Sequence, residues 1–231
     1  MNPMKTKTVS EIVTENFLAV NVLQKHGIDL FNYETKTLAE ACQQQELNLS
    51  NIEQEIRETE GIRTHHYDRW ELDYLMDYIL NNHHYYIWVN LPVIKEYALK
   101  VSRTQGHKFP ETIEVNRLFK ELASDLESHL YHQEHIIFPY IRQLVYAQRD
   151  HRPSEENPQL SLDTIKAEYR YFAAKINRIV SLMSRVEIAN WPETTASVLL
   201  YKLKAFKQDF YQHVHLEKNI LFRKALRLEG E

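Results

Sequence analysis

Four long stretches of the sequence place apolar residues three and four positions apart, and this pattern limits the fold more than any other feature. The apolar stripes run over residues 80–101, 115–144, 162–186 and 199–220. Residues at this spacing form one face of an α-helix, so each stretch predicts a long amphipathic helix. Only 4 of the 231 residues are glycine, which favours helices over β-turns. We therefore expect an all-α protein built around an antiparallel four-helix bundle.

The region before the four stripes predicts a small helical domain. Thr37 with Glu40, and Ser50 with Glu53, have the spacing of capping boxes that open helices. Gly27 has the position of a helix C-terminal stop. The expected boundaries are a small helical domain over 1–60, a linker over 61–67 and the four-helix bundle over 68–231.

Charge and composition argue against nucleic acid and membranes as partners and favour a cytoplasmic location. The chain has 28 basic and 32 acidic residues and a net charge of −4, so it lacks the basic field that nucleic acid requires. No apolar run approaches the ~20 residues of a membrane span, and the N-terminus lacks the apolar segment of a secretory signal. The only cysteine, Cys42, cannot form an internal disulfide. These features predict a cytoplasmic protein with no membrane association.

Polar residues interrupt the stripes at matching heights of the predicted bundle. A stripe that only packs would stay apolar, because a buried polar group without a partner costs about 1–3 kcal/mol. In antiparallel packing the interruptions come level with one another, as do the ligands of bundle metal sites. They are His84 in the first segment, His129 and Gln133 in the second, Tyr169 in the third, and His213 and Glu217 in the fourth. We expect His84, His129, His213 and Glu217 to be metal ligands.

The residues around these interruptions resemble the hemerythrin-like di-iron proteins of iron–sulfur cluster repair, the repair-of-iron-centres family. Three motifs carry the resemblance: HHYYIWVNLP (83–92), ESHLYHQEHIIFPYI (127–141) and HVHLEKNILFRKAL (213–226). The first motif selects His84 over His83, since the family's histidine lies seven residues before Leu-Pro. The resemblance implies a hemerythrin-like bundle and a role in nitrosative and oxidative stress.

The N-terminal region is similar to the family's leading domain but lacks its cysteine pair. VLQKHGIDL (22–30) and KTLAEAC (36–42) carry this similarity. Where the family has Asp-Phe-Cys-Cys-Gly-Gly, this chain has Asp-Leu-Phe-Asn-Tyr-Glu over 29–34. Chemistry that depends on vicinal thiols is therefore not expected here, and Cys42 is expected to be a small buried residue.

The expected metal ligands also depart from the family at two positions. Gln133 stands where a glutamate is expected, with the acid displaced to Glu134, and Tyr169 stands where a histidine is expected. Glu134 lies about 140° round the helix from His129 and reaches the site only if the turn is distorted. Tyr169 either ligates ferric iron as a phenolate or fills the core with its hydroxyl bonded to a neighbour.

The remaining ligands suffice for one ion. They predict a mononuclear or incomplete di-iron centre, and the same donors would accept zinc or manganese. The other histidines, including His132, His135 and His215, are expected to be solvated.

Two functions follow from the sequence. The first, which the resemblance implies, is a non-haem iron protein related to iron–sulfur cluster repair and the response to nitrosative or oxidative stress. It would bind a small ligand such as nitric oxide, dioxygen or peroxide and act with iron–sulfur proteins. The second is a metal-poor paralogue that serves as an interaction or regulatory module. Enzymatic turnover and the formation of a homodimer are left open.

Overall fold

The computed structural model of this protein describes residues 3–59, 66–151, 162–188 and 195–229. It divides into two compact units, Met1–Arg69 and Trp70–Glu231. Among its described residues, the first unit contains four short α-helices: α1 (Val9–Glu15), α2 (Ala19–Lys25), α3 (Leu38–Gln44) and α4 (Leu49–Glu58).

Local signals explain most of these helix ends. The predicted capping box of Thr37 and Glu40 opens α3, and Gly27 follows α2 with a φ of +77°, a conformation that favours glycine. The second predicted capping box is wrong, because Asn48 caps α4 by accepting the Asn51 backbone N–H at 3.2 Å. Asparagine is as effective an N-cap as serine, so the helix begins two residues earlier than the Ser50 signal indicated.

The second unit is the predicted all-α bundle. Three of its four long helices contain a π turn, in which the helix accommodates one extra residue. The bundle helices are α5 (Leu72–Tyr78), π1 (Ile79–His84) and α6 (Tyr85–Gln105); α7 (Glu111–His132), π2 (Gln133–Ile137) and α8 (Phe138–Arg149); α9 (Leu162–Ile188); and α10 (Thr195–Val214), π3 (His215–Leu221) and α11 (Phe222–Glu229).

The bundle helices form a closed ring in which α6 packs on α7, α7 on α9, α9 on α10, and α10 on α6. Neighbouring helices are antiparallel: residue 84 contacts residue 134 whereas residue 95 contacts residue 127, and residue 168 contacts residue 129 whereas residue 178 contacts residue 114. Within the described helices, none has the length and apolar character needed to cross a membrane.

The π turns change which residues face the core. The predicted second stripe continued from Gln133 to Ile136, but Ile136 is exposed and Ile137 is fully buried. Because π2 contains one extra residue, the next buried position of the stripe lies four residues after Gln133, where three were expected. In π1, likewise, Ile79 is buried while the predicted Leu80 is only partly buried. The predicted loop with Pro153 and Pro158, and the predicted helix start near Pro192, lie outside the described residues.

Candidate metal site

Three of the four predicted ligands meet in the core of the bundle. His84 closes π1, His213 lies in α10, and Glu217 lies one turn further in π3. His84 Nε2 is 3.2 Å from His213 Nε2 and 3.0 Å from Glu217 Oε1, and His213 Nε2 is 2.9 Å from the same oxygen. All three side chains are buried, and each directs one donor atom to a common point, with these atoms within 4.8 Å of one another.

The second oxygen of Glu217 is held by the two residues that depart from the family pattern. Gln133 Nε2 donates to Glu217 Oε2 and to the Tyr169 hydroxyl, both at 2.9 Å, and Tyr169 also donates to Glu217 Oε2. Burial first, and then the Glu217 carboxylate, raise the pKa of Tyr169 well above its ordinary value. The phenol is therefore neutral and acts as a hydrogen-bond donor to Glu217.

Glu134 reaches the site because π2 distorts the turn. Its Oε1 accepts from His84 Nδ1 at 3.0 Å and from the indole N–H of Trp88 at 3.0 Å. A carboxylate on the second nitrogen of a metal-binding histidine fixes the ring orientation and raises the basicity of the other nitrogen. Glu134 thus bonds to the nitrogen of His84 that points away from the three-residue cluster of His84, His213 and Glu217.

His129 lies beside the cluster but is not part of it. Its ring contacts the Tyr169 ring edge-on at a centroid distance of 5.4 Å, and Tyr169 in turn bonds to Glu217. His129 Nδ1 lies 2.7 Å from Glu168 Oε2, whereas the buried Nε2 has no hydrogen-bond partner within the described part of the chain. The predicted convergence therefore brings together His84, His213 and Glu217 and leaves His129 in contact with the Tyr169 phenol.

The charges in the cluster balance one another. Burial alone would lower the pKa of His84, but Glu134 and Glu217 outweigh it and raise that pKa to about 8. Burial alone would raise the pKa of Glu217, but His213 and His84 hold it well below the ordinary value. Burial lowers the pKa of His213 more than Glu217 raises it. A proton shared near His84 thus compensates the Glu217 charge, and a cation held by the same three atoms would do so as well.

Three other histidines near the site differ in exposure. His132 and His135 are exposed, as expected. The expectation for His215 was wrong: it is buried, and burial together with Arg223 lowers its pKa to about 3. The reason is π3, whose seven residues are all buried, so that no side of this turn faces solvent.

Sequence reasoning missed two polar residues of this region, Glu168 and Trp88. Glu168 immediately precedes Tyr169 and lies on the flank of the third stripe at the height of the site. An acidic residue at that position was the available signal. Trp88 gave none, because its contact with Glu134 depends on the π turn.

These donors fit a cation. Two imidazole nitrogens and one carboxylate oxygen are a ligand set that iron, zinc and manganese accept. His213 Nδ1 is also buried without a hydrogen-bond partner in the described residues, so within this part of the chain the ring forms hydrogen bonds only through the nitrogen that faces the cluster.

Comparisons with known proteins agree with a cation site. A family model described as the hemerythrin HHE cation binding domain matches residues 75–225. A protein of Yersinia pestis (strain Pestoides F) named iron-sulfur cluster repair protein YtfE is 24% identical over 213 residues, which cover 91% of this chain and 92% of the relative. The protein of the same name from Yersinia pseudotuberculosis serotype O:1b (strain IP 31758) has the same identity and coverage.

Proposed function

Because the chain belongs to the hemerythrin HHE cation binding domain family, we propose that it is a non-haem iron protein that holds one ion through His84, His213 and Glu217. The observation that supports this proposal is the convergence of three buried donor atoms within 4.8 Å. Two histidines and one carboxylate form the ligand set of mononuclear non-haem iron sites. Zinc and manganese are alternative occupants of the same donors.

A bound iron ion would supply redox chemistry and an open coordination position for a small ligand such as nitric oxide, dioxygen or peroxide. The protein residues supply the surroundings. Glu217 provides the single negative charge, and Gln133 and Tyr169 fix its second oxygen. Glu134 orients His84. The rings of Phe138 and Phe210 pack against the two histidines at centroid distances of 5.4 and 6.1 Å and exclude water from that side.

The cellular role we propose is iron–sulfur cluster repair in the cytoplasm under nitrosative or oxidative stress. Its support is the name of the relatives that match nearly the whole chain. Iron–sulfur proteins would then be the macromolecular partners. The vicinal cysteines of the family are absent, and burial followed by the nearby Glu53 charge raises the pKa of Cys42 above its ordinary value. Thiolate chemistry at this residue is thus disfavoured. The proposed repair role therefore depends on the metal site of the bundle.

The proposal is tested by the metal content of the purified protein and of two matched variants. We expect His213→Ala to lose most of the bound iron and His215→Ala to keep it. Both variants remove a buried imidazole from the same helix, two residues apart, so a loss caused only by a packing defect would appear in both. Equal losses from the two would show that His213 does not ligate the ion.

A second function is supported by the hydrogen bonds of Gln133 and Tyr169. These side chains satisfy Glu217 Oε2 with protein donors, as a structural polar network would. A metal-poor interaction or regulatory module would use the bundle in this way. A protein that purifies without metal and takes up neither iron, zinc nor manganese on reconstitution would favour this second function.

A further inference from the structure

The first bundle helix has a solvent-exposed face, here called the outer face, whose centre carries no charge. Residues 78–94 contain no Asp, Glu, Lys or Arg, although 26% of the chain is charged. Protein surfaces normally carry about 25–35% charged residues, so burial of the core side of this helix explains only part of the absence. The exposed side chains at the centre are apolar or aromatic: Tyr85, Trp88, Val89 and Pro92. A contiguous surface of this kind is typical of a protein–protein interface.

The outer face has the spacing and the rigidity of a helix-packing surface. Exposed positions three and four residues apart run from Asp77 to Lys100, as the buried positions do on the opposite side of the helix. Trp88 is fixed within this face, because its indole N–H donates to Glu134 Oε1 at 3.0 Å. An aromatic side chain that is already fixed loses little conformational freedom on binding, and its N–H is not left unpaired when it is covered.

The centre of the outer face is complementary to itself in the antiparallel direction. About a twofold axis, residue i of one helix faces residue j of its copy, and j faces i. An axis between Trp88 and Val89 sets Trp88 against the partner's Val89 and Tyr85 against the partner's Pro92. Each central pair therefore joins an aromatic ring to an aliphatic side chain, and pairing buries no charge at the centre.

The same register brings complementary polar groups together at the two ends. Glu96 faces the partner's Asn81, and Lys100 faces the partner's Asp77. Asn81 Nδ2 donates to the Asp77 backbone carbonyl at 2.7 Å, and its second N–H is a donor for a carboxylate. The extra residue of π1 changes the height of Asp77 by only ~1.5 Å, which a lysine side chain spans. A parallel pair would instead set Glu96 beside the partner's Glu96, and these like charges repel.

We propose that the outer face is a homodimer interface, in which two copies of the chain pair antiparallel through residues 77–100. The uncharged centre and the opposite charges of the two ends match a second copy of the same face. One helix face is small for a protein–protein interface, so we expect a dissociation constant of about 10–100 µM. None of the paired residues is a candidate metal ligand, so this pairing is independent of the proposed iron site.

The first experiment measures dimer formation by analytical ultracentrifugation of the full-length protein. Val89→Glu and Val89→Lys each place like charges beside the axis, and each should weaken dimerisation about 10-fold or more. An equimolar mixture of the two variants should form the dimer again, because unlike charges then meet. Val198→Glu is the matched control, because Val198 is a valine of similar exposure in α10, 41% against 46% for Val89. This control should dimerise like the parent.

Three results of this experiment would overturn the proposal. The first is a parent that stays monomeric up to about 500 µM, which would assign the outer face to a different protein. The second is a dimer that withstands both Val89 changes or is weakened equally by Val198→Glu. The third is a mixture of folded Val89→Glu and Val89→Lys variants that stays monomeric. Circular dichroism of each variant verifies the fold, and both positions are solvent-exposed valines.

The second experiment tests the antiparallel register. Lys100→Glu places an acid against the partner's Asp77 and should weaken the dimer about 2- to 5-fold at low salt, with a smaller effect at high salt. In a parallel pair residue 100 would lie far from residue 77. An unchanged dissociation constant for Lys100→Glu at low salt would therefore refute the antiparallel pairing.

Discussion

Two carboxylate–histidine pairs of the bundle, His84 with Glu134 and His129 with Glu168, allow a controlled test of which histidines bind the metal. Glu134 accepts from His84 and Glu168 accepts from His129, at 3.0 and 2.7 Å. Only His84 belongs to the three-residue cluster. Glu134→Gln should therefore weaken metal binding, whereas Glu168→Gln should not, although both changes replace a partly exposed carboxylate with its isosteric amide.

The size of the effect follows from the role of Glu134. Loss of the carboxylate behind a metal-binding histidine typically lowers affinity 10- to 100-fold, which is about 1.4–2.7 kcal/mol. Trp88→Phe keeps an aromatic ring and removes the indole N–H, one of the two donors to Glu134 Oε1. We expect this variant to lose only about 2- to 5-fold, because the bond from His84 remains.

The assay is competition with a chromophoric chelator for zinc and for ferrous iron, with the thermal stability of each metal-free variant as control. Glu168→Gln should stay within about twofold of the parent if His129 does not ligate the ion. Comparable losses from Glu134→Gln and Glu168→Gln would refute the three-ligand assignment and make His129 a fourth ligand. No loss from Glu134→Gln would remove its role in orienting His84.

Four further outcomes are expected. A metal must displace the His84 proton, so affinity should fall about tenfold per pH unit below the pKa of about 8, and a flat dependence between pH 6 and 8 would exclude His84. In the metal-free protein the same raised pKa stabilises the fold most below the ordinary value of ~6.5, and urea denaturation should show this contribution fading as pH rises through about 8. Gln133→Glu with Tyr169→His restores the family's residues and should raise iron toward two per chain, with the absorption of an oxo-bridged pair; a parent that already binds two irons with that absorption would contradict this. Gly27→Ala should cost about 1–2 kcal/mol of stability from its φ of +77° alone, since the added carbon would lie 3.4 Å from Gln45 Oε1, an ordinary contact.

The bundle and the convergence of three buried polar side chains in its core could be predicted because they depend on helical periodicity. His84, His213 and Glu217 interrupt otherwise apolar stripes, and a polar residue on a buried face has few reasons to be there. The heights of these residues follow from antiparallel packing. Periodicity and the chain direction are both visible in a sequence.

The π turns could not be predicted from periodicity, because they alter the period itself. The errors at Ile136 and Leu80, and the unexpected burial of His215, all fall within a π turn. The contact between Glu134 and His84 has the same cause, although its need for a distorted turn was foreseeable from the 140° offset. The contact between Glu168 and His129 joins different helices, and its signal in the sequence was the acidic residue next to Tyr169 at the height of the site.

The π2 turn also determines how this chain responds to changes in length. Deletion of the exposed His135 would return this helix to α geometry, and because the π turn absorbs one extra residue, α8 would keep its rotation relative to α7. Phe138, Ile141 and Leu144 would stay in the core that now buries them. The distortion that brings Glu134 to His84 would be lost, so one deletion at this turn would change the surroundings of the site and leave the core face of the helix in place.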